Sequence, residues 1–88
     1  MQQENVEKVL AIVNENIKDA NLTFENLNDK LIEFGMDSIM FIQIIVALEE
    51  VFGCEIPDSK LLFSEMETVN KIIDVLQDLY AESEESYR

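Results

Sequence analysis

Histidine is absent from this sequence, and cysteine is represented by a single residue, Cys54. Without an imidazole, the chain cannot form a Ser–His or Cys–His nucleophilic pair, or a zinc site that uses histidine. A lone cysteine cannot form an internal disulfide, and the sequence shows no neighbouring histidine or lysine that would activate its thiol. Most small hydrolases and metalloenzymes are thereby excluded, and we expect Cys54 to be structural.

Glycine and long apolar runs are also scarce. The two glycines, Gly35 and Gly53, are too few for a phosphate-cradling P-loop or for the dinucleotide-binding G-x-G-x-x-G motif. The longest nearly uninterrupted apolar run, residues 39–48, is far shorter than the roughly 20 residues that span a bilayer, and no signal peptide is recognisable. We expect a soluble, cytoplasmic protein without a membrane partner.

Basic residues are few as well. The chain has six basic and nineteen acidic residues, which gives it a formal charge of −13. Such a charge repels nucleic acid and anionic lipid and favours partners with basic surfaces. The carboxylates include no D-x-[DN]-x-[DN]-G calcium loop, and the adjacent Glu49 and Glu50 would point about 100° apart on a helix. We therefore expect no nucleic acid, no metal site and no acid–base pair.

Hydrophobic residues make up 48% of the 88-residue chain, which is enough to build one core. Their spacing predicts an all-α bundle of three main helices plus one short helix, with a long loop between the first and second helices. The predicted helices are residues 3–19, 38–52, a short one from Asp58 or Ser59 to about 64, and 69–80. We assign residues 1–80 to a single domain and residues 81–88 to an acidic, frayed tail.

The second helix is apolar on nearly every side in its first ten residues. Its inward residues are expected to be Ile42, Ile45, Leu48 and Phe52, and Gly53 is a natural C-terminal stop. A helix of this kind is either buried on several sides or exposes an apolar patch. Met40 and Phe41 are the residues that we expect to be exposed.

A short motif, Gly-Met-Asp-Ser-Ile at residues 35–39, stands at the start of this helix. Asp37 is a good N-cap, and Met36 and Phe41 have the spacing of a hydrophobic staple, so the motif is explained as a plain helix start. The same position would also suit a phosphate ester on Ser38, because helix N-termini present free N–H groups and a positive dipole end. Local rules favour the first interpretation and leave the second open.

The wider pattern resembles the acyl carrier proteins. It consists of G-x-D-S-[IL], an apolar helix ending in A-L-E-E-x-F, the step E-I-P-D and a T-V helix start, and it covers about residues 5–80. The resemblance implies that Ser38 accepts a 4′-phosphopantetheine arm from coenzyme A through a phosphopantetheinyl transferase. The arm's thiol would carry acyl groups as thioesters, so the protein would be a shuttle and no enzyme. It further implies that Asp37 serves the transferase by binding magnesium or orienting the hydroxyl.

The resemblance also implies a surface for acyl-loading and acyl-processing enzymes, which would present basic or apolar docking patches. The implied partner-binding residues are Ile39, Met40, Phe41, Gln43, Glu49, Glu50, Glu55 and Asp58. Fatty-acid carriers typically have acidic residues two and five positions after the serine, where this chain has Met40 and Gln43. Together with Leu62 and Phe63 ahead of the last helix, this makes the chain more similar to carriers of polyketide and nonribosomal peptide systems.

Three functions follow, in order of preference. The first is a free-standing, monomeric acyl carrier protein of fatty-acid-like or specialised metabolism. The second is an aminoacyl or peptidyl carrier with the same fold and arm. The third is an acidic helical adaptor with an unmodified Ser38. A cargo tunnel between the second and third helices is a further implication of the resemblance, although its residues would equally suit a closed core: Ile45, Leu48, Ile56 and Leu62.

Overall fold

A computed structural model describes residues 3–57 and 63–87, with side chains described up to residue 79 except at residue 65. The described residues form three α-helices, which are α1 (Gln3–Asn16), α2 (Ser38–Phe52) and α3 (Val69–Tyr87). Short 3-10 turns occur at Phe24–Asn26, Leu31–Phe34 and Phe63–Glu65, and no strand is found in this part of the chain. The predicted all-α bundle is confirmed.

The first helix ends at Asn16, so its predicted end at residue 19 is too late. The Asn16 side-chain amide donates to the Ile12 carbonyl at 2.8 Å, a local side-chain bond to the backbone of the kind that competes with helix continuation. Asp19 then adopts a left-handed conformation with φ of 66°, which a continuing helix does not allow. The apolar face of α1 is buried as predicted, with Val9 and Val13 fully inaccessible.

The predicted long loop between α1 and α2 contains two short 3-10 turns. Its start is held by Asn14, whose side chain accepts the Leu22 N–H at 2.8 Å and donates to the Leu22 carbonyl at 3.0 Å. The loop also supplies the core with Leu22, Leu31 and Met36, all buried. A long loop that packs its own apolar residues in this way behaves as part of the fold.

The same loop is bonded to the beginning of α3. The Leu31 N–H donates to the Glu67 carbonyl at 2.8 Å, and the Asn70 N–H donates to the Leu27 carbonyl at 3.0 Å. The Asn70 side chain donates to the Asn28 side chain at 2.6 Å. These bonds fix the segment that leads directly into α2.

The second helix has the predicted bounds, with Asp37 as its N-cap and Gly53 as its left-handed C-cap at φ of 62°. Its buried face consists of Phe41, Ile44, Ile45 and Leu48, which follow the i, i+3, i+4, i+7 spacing. Two predictions about this face are wrong. Ile42 is 54% exposed and Phe41 is buried. In a helix that is apolar on nearly every side, composition does not reveal which side meets the core.

The third helix continues to Tyr87, so its predicted end near residue 80 is too early. No glycine or proline follows Tyr80, and the sequence therefore lacks a stop signal. The predicted cap is confirmed, because the Thr68 hydroxyl accepts the Lys71 N–H at 3.1 Å. The predicted short helix falls mostly on residues 58–62, which lie outside the described residues.

The core is built from all three helices and the connecting segments. Among its fully or almost fully buried side chains are Val13, Leu31, Ile44, Leu48, Met66, Ile72 and Leu76. No helix in the described ranges combines the length and the apolar character that crossing a membrane requires.

Candidate functional site

Ser38 is the first residue of α2 and is exposed. The chain reaches it through Gly35, which ends the preceding 3-10 turn at φ of 101° and donates its N–H to the Ile32 carbonyl at 3.1 Å. No neighbouring atom lies within 4 Å of a Cβ placed on Gly35, so glycine is favoured here by backbone conformation alone. This turn directs the chain from the buried Leu31 to the outward-facing Ser38.

Asp37 caps the helix beside the serine. Its carboxylate accepts the Met40 N–H at 2.8 Å, and its carbonyl accepts the Phe41 N–H at 2.9 Å. Met36 and Phe41, the predicted staple pair, are both buried, and the Phe41 ring lies 5.2 Å from that of Phe63 between centroids. Ser38 is thus held in place by a cap and by core residues on either side of it in the sequence.

The cap permits a quantitative prediction for Asp37. Asp37→Ala removes the acceptor of the Met40 N–H, and we expect it to lower the free energy of unfolding by about 1 kcal/mol. Asp37→Asn retains a capping oxygen and should lie within about 0.5 kcal/mol of the wild type. Urea unfolding followed by circular dichroism measures both. Equal losses in the two variants would show that the carboxylate charge, and not the cap, is what stabilises the helix.

The N-terminus of α2 also has the electrostatics of an anion site. No hydrogen-bond acceptor within residues 3–57 and 63–87 is assigned to the backbone N–H groups of Ser38 and Ile39. Such free N–H groups and the positive end of the helix dipole stabilise a negative group placed at the helix end. A phosphate ester on the Ser38 oxygen would stand beside them, so the residues present fit a phosphate-bearing group.

The outward face of α2 next to Ser38 is apolar. Ile39 is 69% exposed, Ile42 54% and Val46 48%, while the neighbouring Gln43 is also exposed. Met40, which we expected to be exposed, is half-buried against the core. The sequence pattern predicted Ile42 to face the core, and nothing in it marked Val46 as a candidate site residue. The spacing of 39, 42 and 46 was visible in the sequence as a second apolar face opposite the face that begins at Phe41.

The acidic residues at the far end of α2 differ in their surroundings. The Glu49 carboxylate accepts the Ile56 N–H at 2.9 Å, and its backbone carbonyl accepts from Cys54 at 3.2 Å. Glu49 is therefore half-buried and bonded within the chain, whereas Glu50 and Glu55 are exposed. Asp58 lies outside the described residues. Burial, and secondarily the charge of Glu49, raise the pKa of the Cys54 thiol, which disfavours its reactive thiolate form.

We predict that Glu49 holds the segment after α2 in place. Glu49→Ala should speed amide hydrogen exchange at Ile56 by at least about tenfold, because it deletes a charge-assisted hydrogen bond worth roughly 1.5–3 kcal/mol. Glu49→Gln keeps an acceptor oxygen and should show a smaller change. Exposed Glu50→Ala is the matched control, with exchange at Ile56 close to that of the wild type. NMR exchange measurements that fail to separate Glu49→Ala from this control would contradict the prediction.

Two further sequence-based expectations concern cargo and metals. Ile45, Leu48 and Ile56, three of the residues named for a cargo tunnel, are buried in the core, and Leu62 lies outside the described residues. In the part of the chain that the structure describes, no group of three or more Cys, Asp or Glu side chains could hold a metal ion.

Comparison with known proteins decides the family. The model of the family described as "Phosphopantetheine attachment site" matches residues 7–76, a range that extends from α1 into α3 and includes Ser38. The chain belongs to the acyl carrier protein family. Its prosthetic group is 4′-phosphopantetheine, attached covalently. The sequence-based assignment to this family is confirmed.

A curated member of the acyl carrier protein family is similar to the chain along most of its length. It is the "Acyl carrier protein homolog" of Ureaplasma parvum serovar 3 (strain ATCC 700970), which is 31% identical over 58 residues. The aligned region covers 66% of this chain and 73% of the relative. No solved structure gives a significant match. Carrier proteins of this family act with modifying and acyl-processing enzymes and are generally non-catalytic themselves.

Proposed function

We propose that Ser38 carries the 4′-phosphopantetheine arm and that the protein delivers acyl thioesters to biosynthetic enzymes. The observation that carries this proposal is the exposed Ser38 hydroxyl at the first position of α2, inside the segment that the family model matches. Among the other serines, Ser64 is the middle residue of a three-residue 3-10 turn and does not begin a helix. The free N–H groups beside Ser38 suit the phosphodiester that attachment creates.

The attachment step is a phosphoryl-type transfer from coenzyme A. A bond forms between the Ser38 oxygen and the phosphorus that bears the pantetheine, the pyrophosphate P–O bond breaks, and the nucleotide half of coenzyme A leaves. The hydroxyl proton passes to a base of the transferase. Asp37 stands beside the reacting oxygen, and one of its carboxylate oxygens is already bonded to the Met40 N–H. We propose that its second oxygen is available to bind magnesium or to orient the hydroxyl in the complex.

The arm, once attached, supplies a thiol that holds the cargo as a thioester. The chain itself positions the arm, because the Asp37 cap and the Gly35 turn keep Ser38 at the surface. It also supplies long-range attraction, because a charge of −13 speeds encounter with enzymes that carry basic patches. We propose Glu50, Glu55 and Asp58 as rim charges for such encounters. Glu49 is a weaker candidate because its carboxylate is bonded to Ile56.

We further propose a role in fatty-acid-like or polyketide and other specialised metabolism, with the protein acting as a cytoplasmic monomer. Met40 and Gln43 replace the acidic residues that typify fatty-acid carriers, which supports a specialised pathway. We place the carrier domain at residues 1–80, and α3 continues beyond it to Tyr87. A free-standing aminoacyl or peptidyl carrier is the alternative, because the same arm would serve it. A more distant alternative is an acidic helical adaptor whose Ser38 is unmodified.

Intact-mass spectrometry tests this proposal. After incubation with coenzyme A and a promiscuous phosphopantetheinyl transferase, the protein should gain the mass of one arm. Loading of that arm by acyl-transferring enzymes supports the acyl carrier, and loading by adenylating enzymes supports the peptidyl carrier. Protein isolated from its native host without any arm would overturn both and favour the adaptor.

A further inference from the structure

The loop that leads into α2 is bonded to the start of α3 in an antiparallel arrangement. The Asn70 N–H donates to the Leu27 carbonyl at 3.0 Å, and the Leu31 N–H donates to the Glu67 carbonyl at 2.8 Å. The Asn70 side-chain amide adds a third bond, to the Asn28 side-chain oxygen at 2.6 Å. Asn70 therefore holds this part of the loop with both its backbone and its side chain.

The bonding continues from Leu31 to the residue before Asp37. Leu31 uses both of its peptide groups, because its N–H donates to Glu67 and its carbonyl accepts the Met36 N–H at 3.2 Å. Leu31 and Met36 are both buried, at 0% and 3% exposure. Asp37 follows directly in an extended conformation, with φ of −119° and ψ of −178°, so the chain that enters it sets its orientation. A hydrogen-bonded path thus leads from the start of α3 to Asp37.

Resting on the function proposed above, in which Asp37 assists attachment of the arm to Ser38, we propose that Asn70 is a positioning residue for that reaction. Ser38 belongs to α2, whereas Asp37 belongs to the incoming loop, so their relative placement depends on how the loop is held. By fixing the loop against α3, the Asn70 side chain sets the Asp37 carboxylate relative to the Ser38 oxygen. A misplacement of about 1 Å at a reacting centre lowers a rate by as much as about 100-fold.

A purely structural role for Asn70 is the alternative, and the chain contains a matched control for it. Asn14 is also a half-buried asparagine whose side chain holds the same loop. It binds the other end, with bonds of 2.8 Å and 3.0 Å to the Leu22 N–H and carbonyl. If both asparagines only stabilise the loop, their loss should lower stability alike and leave the kcat of the folded protein unchanged. A positioning role predicts a lower kcat for the Asn70 variant alone.

Steady-state kinetics of arm attachment, with coenzyme A and the promiscuous transferase, test this at a temperature where circular dichroism shows each variant folded. Asn70→Ala should lower kcat about tenfold and keep the KM for the carrier within about twofold. Asn28→Ala removes the other partner of the same bond and should have the same effect, and the double variant should fall no further. Asn28→Asp keeps an acceptor oxygen and should retain kcat within about twofold, as should Asn14→Ala.

Amide hydrogen exchange at Met36 gives an independent measure, which Asn70→Ala should speed by at least about fivefold more than Asn14→Ala does. Equal kcat values for these two variants would overturn the positioning role. So would a change confined to KM, or a loss of kcat in Asn28→Asp as large as in Asn28→Ala. If Asn70→Ala does not fold, Asn28→Ala decides the question by the same comparison. A wild type that gains no arm at all would instead refute the function proposed above.

Discussion

Replacement of Ser38 with alanine should abolish the mass gain that the wild-type protein shows with coenzyme A and a transferase. The reason is chemical, because alanine has no oxygen to form the bond to phosphorus. The fold should survive, because the Ser38 side chain is exposed and makes no assigned hydrogen bond to the residues that the structure describes. Alanine is moreover a good helix former at the first position of a helix. The expected loss is complete, so that no modified protein is detected by intact-mass spectrometry.

Ser64→Ala is the control for this experiment. Ser64 is also exposed. Its backbone carbonyl accepts a hydrogen bond from the Lys71 ammonium at 3.3 Å. Loss of the Ser64 hydroxyl leaves this bond in place. This variant should gain one arm at the wild-type rate. A mass gain that persists in Ser38→Ala would place the attachment at another residue, and fragmentation of the modified peptide would identify it. Circular dichroism of both variants separates a loss of chemistry from a loss of fold.

How far the sequence predicts this site depends on how local its determinants are. The bounds of α2 could be predicted, because Asp37 and Gly53 act through their own backbone and side-chain chemistry. The position of Ser38 at the helix start followed from the same rules. The family pattern then supplied the role of the serine, which helix-capping rules alone left undecided.

The parts that escaped prediction depend on contacts between distant residues. Asn70 bonds to Asn28 across 42 positions of sequence, and no local pattern marks either residue for the other. Glu49 was expected to face partners, but its carboxylate accepts the Ile56 N–H after the chain has turned back at Gly53. The rotation of α2 about its axis was likewise undetermined, because its apolar residues occur on nearly every side. Packing against α1 and the loop selects the face that begins at Phe41.

A pair of isoleucine substitutions tests this rotation of α2 directly. Ile44 and Ile42 are the same residue type, two positions apart on one helix, with exposures of 0% and 54%. We expect Ile44→Ala to lower the free energy of unfolding by about 2–5 kcal/mol, because it removes buried methyl groups and leaves a cavity. Ile42→Ala should stay within about 0.5 kcal/mol of the wild type. The gain in helix propensity is the same in both variants and cancels in the comparison.

Urea unfolding measures the pair. With a slope of about 1 kcal/mol per molar, the midpoint of Ile44→Ala should fall by about 2–5 M. The two positions lie about 160° apart around the helix, so they cannot both face the core. If Ile42→Ala proved the costlier change, the side of α2 that carries Ile42 would face the core, and the assigned rotation of the helix would be wrong.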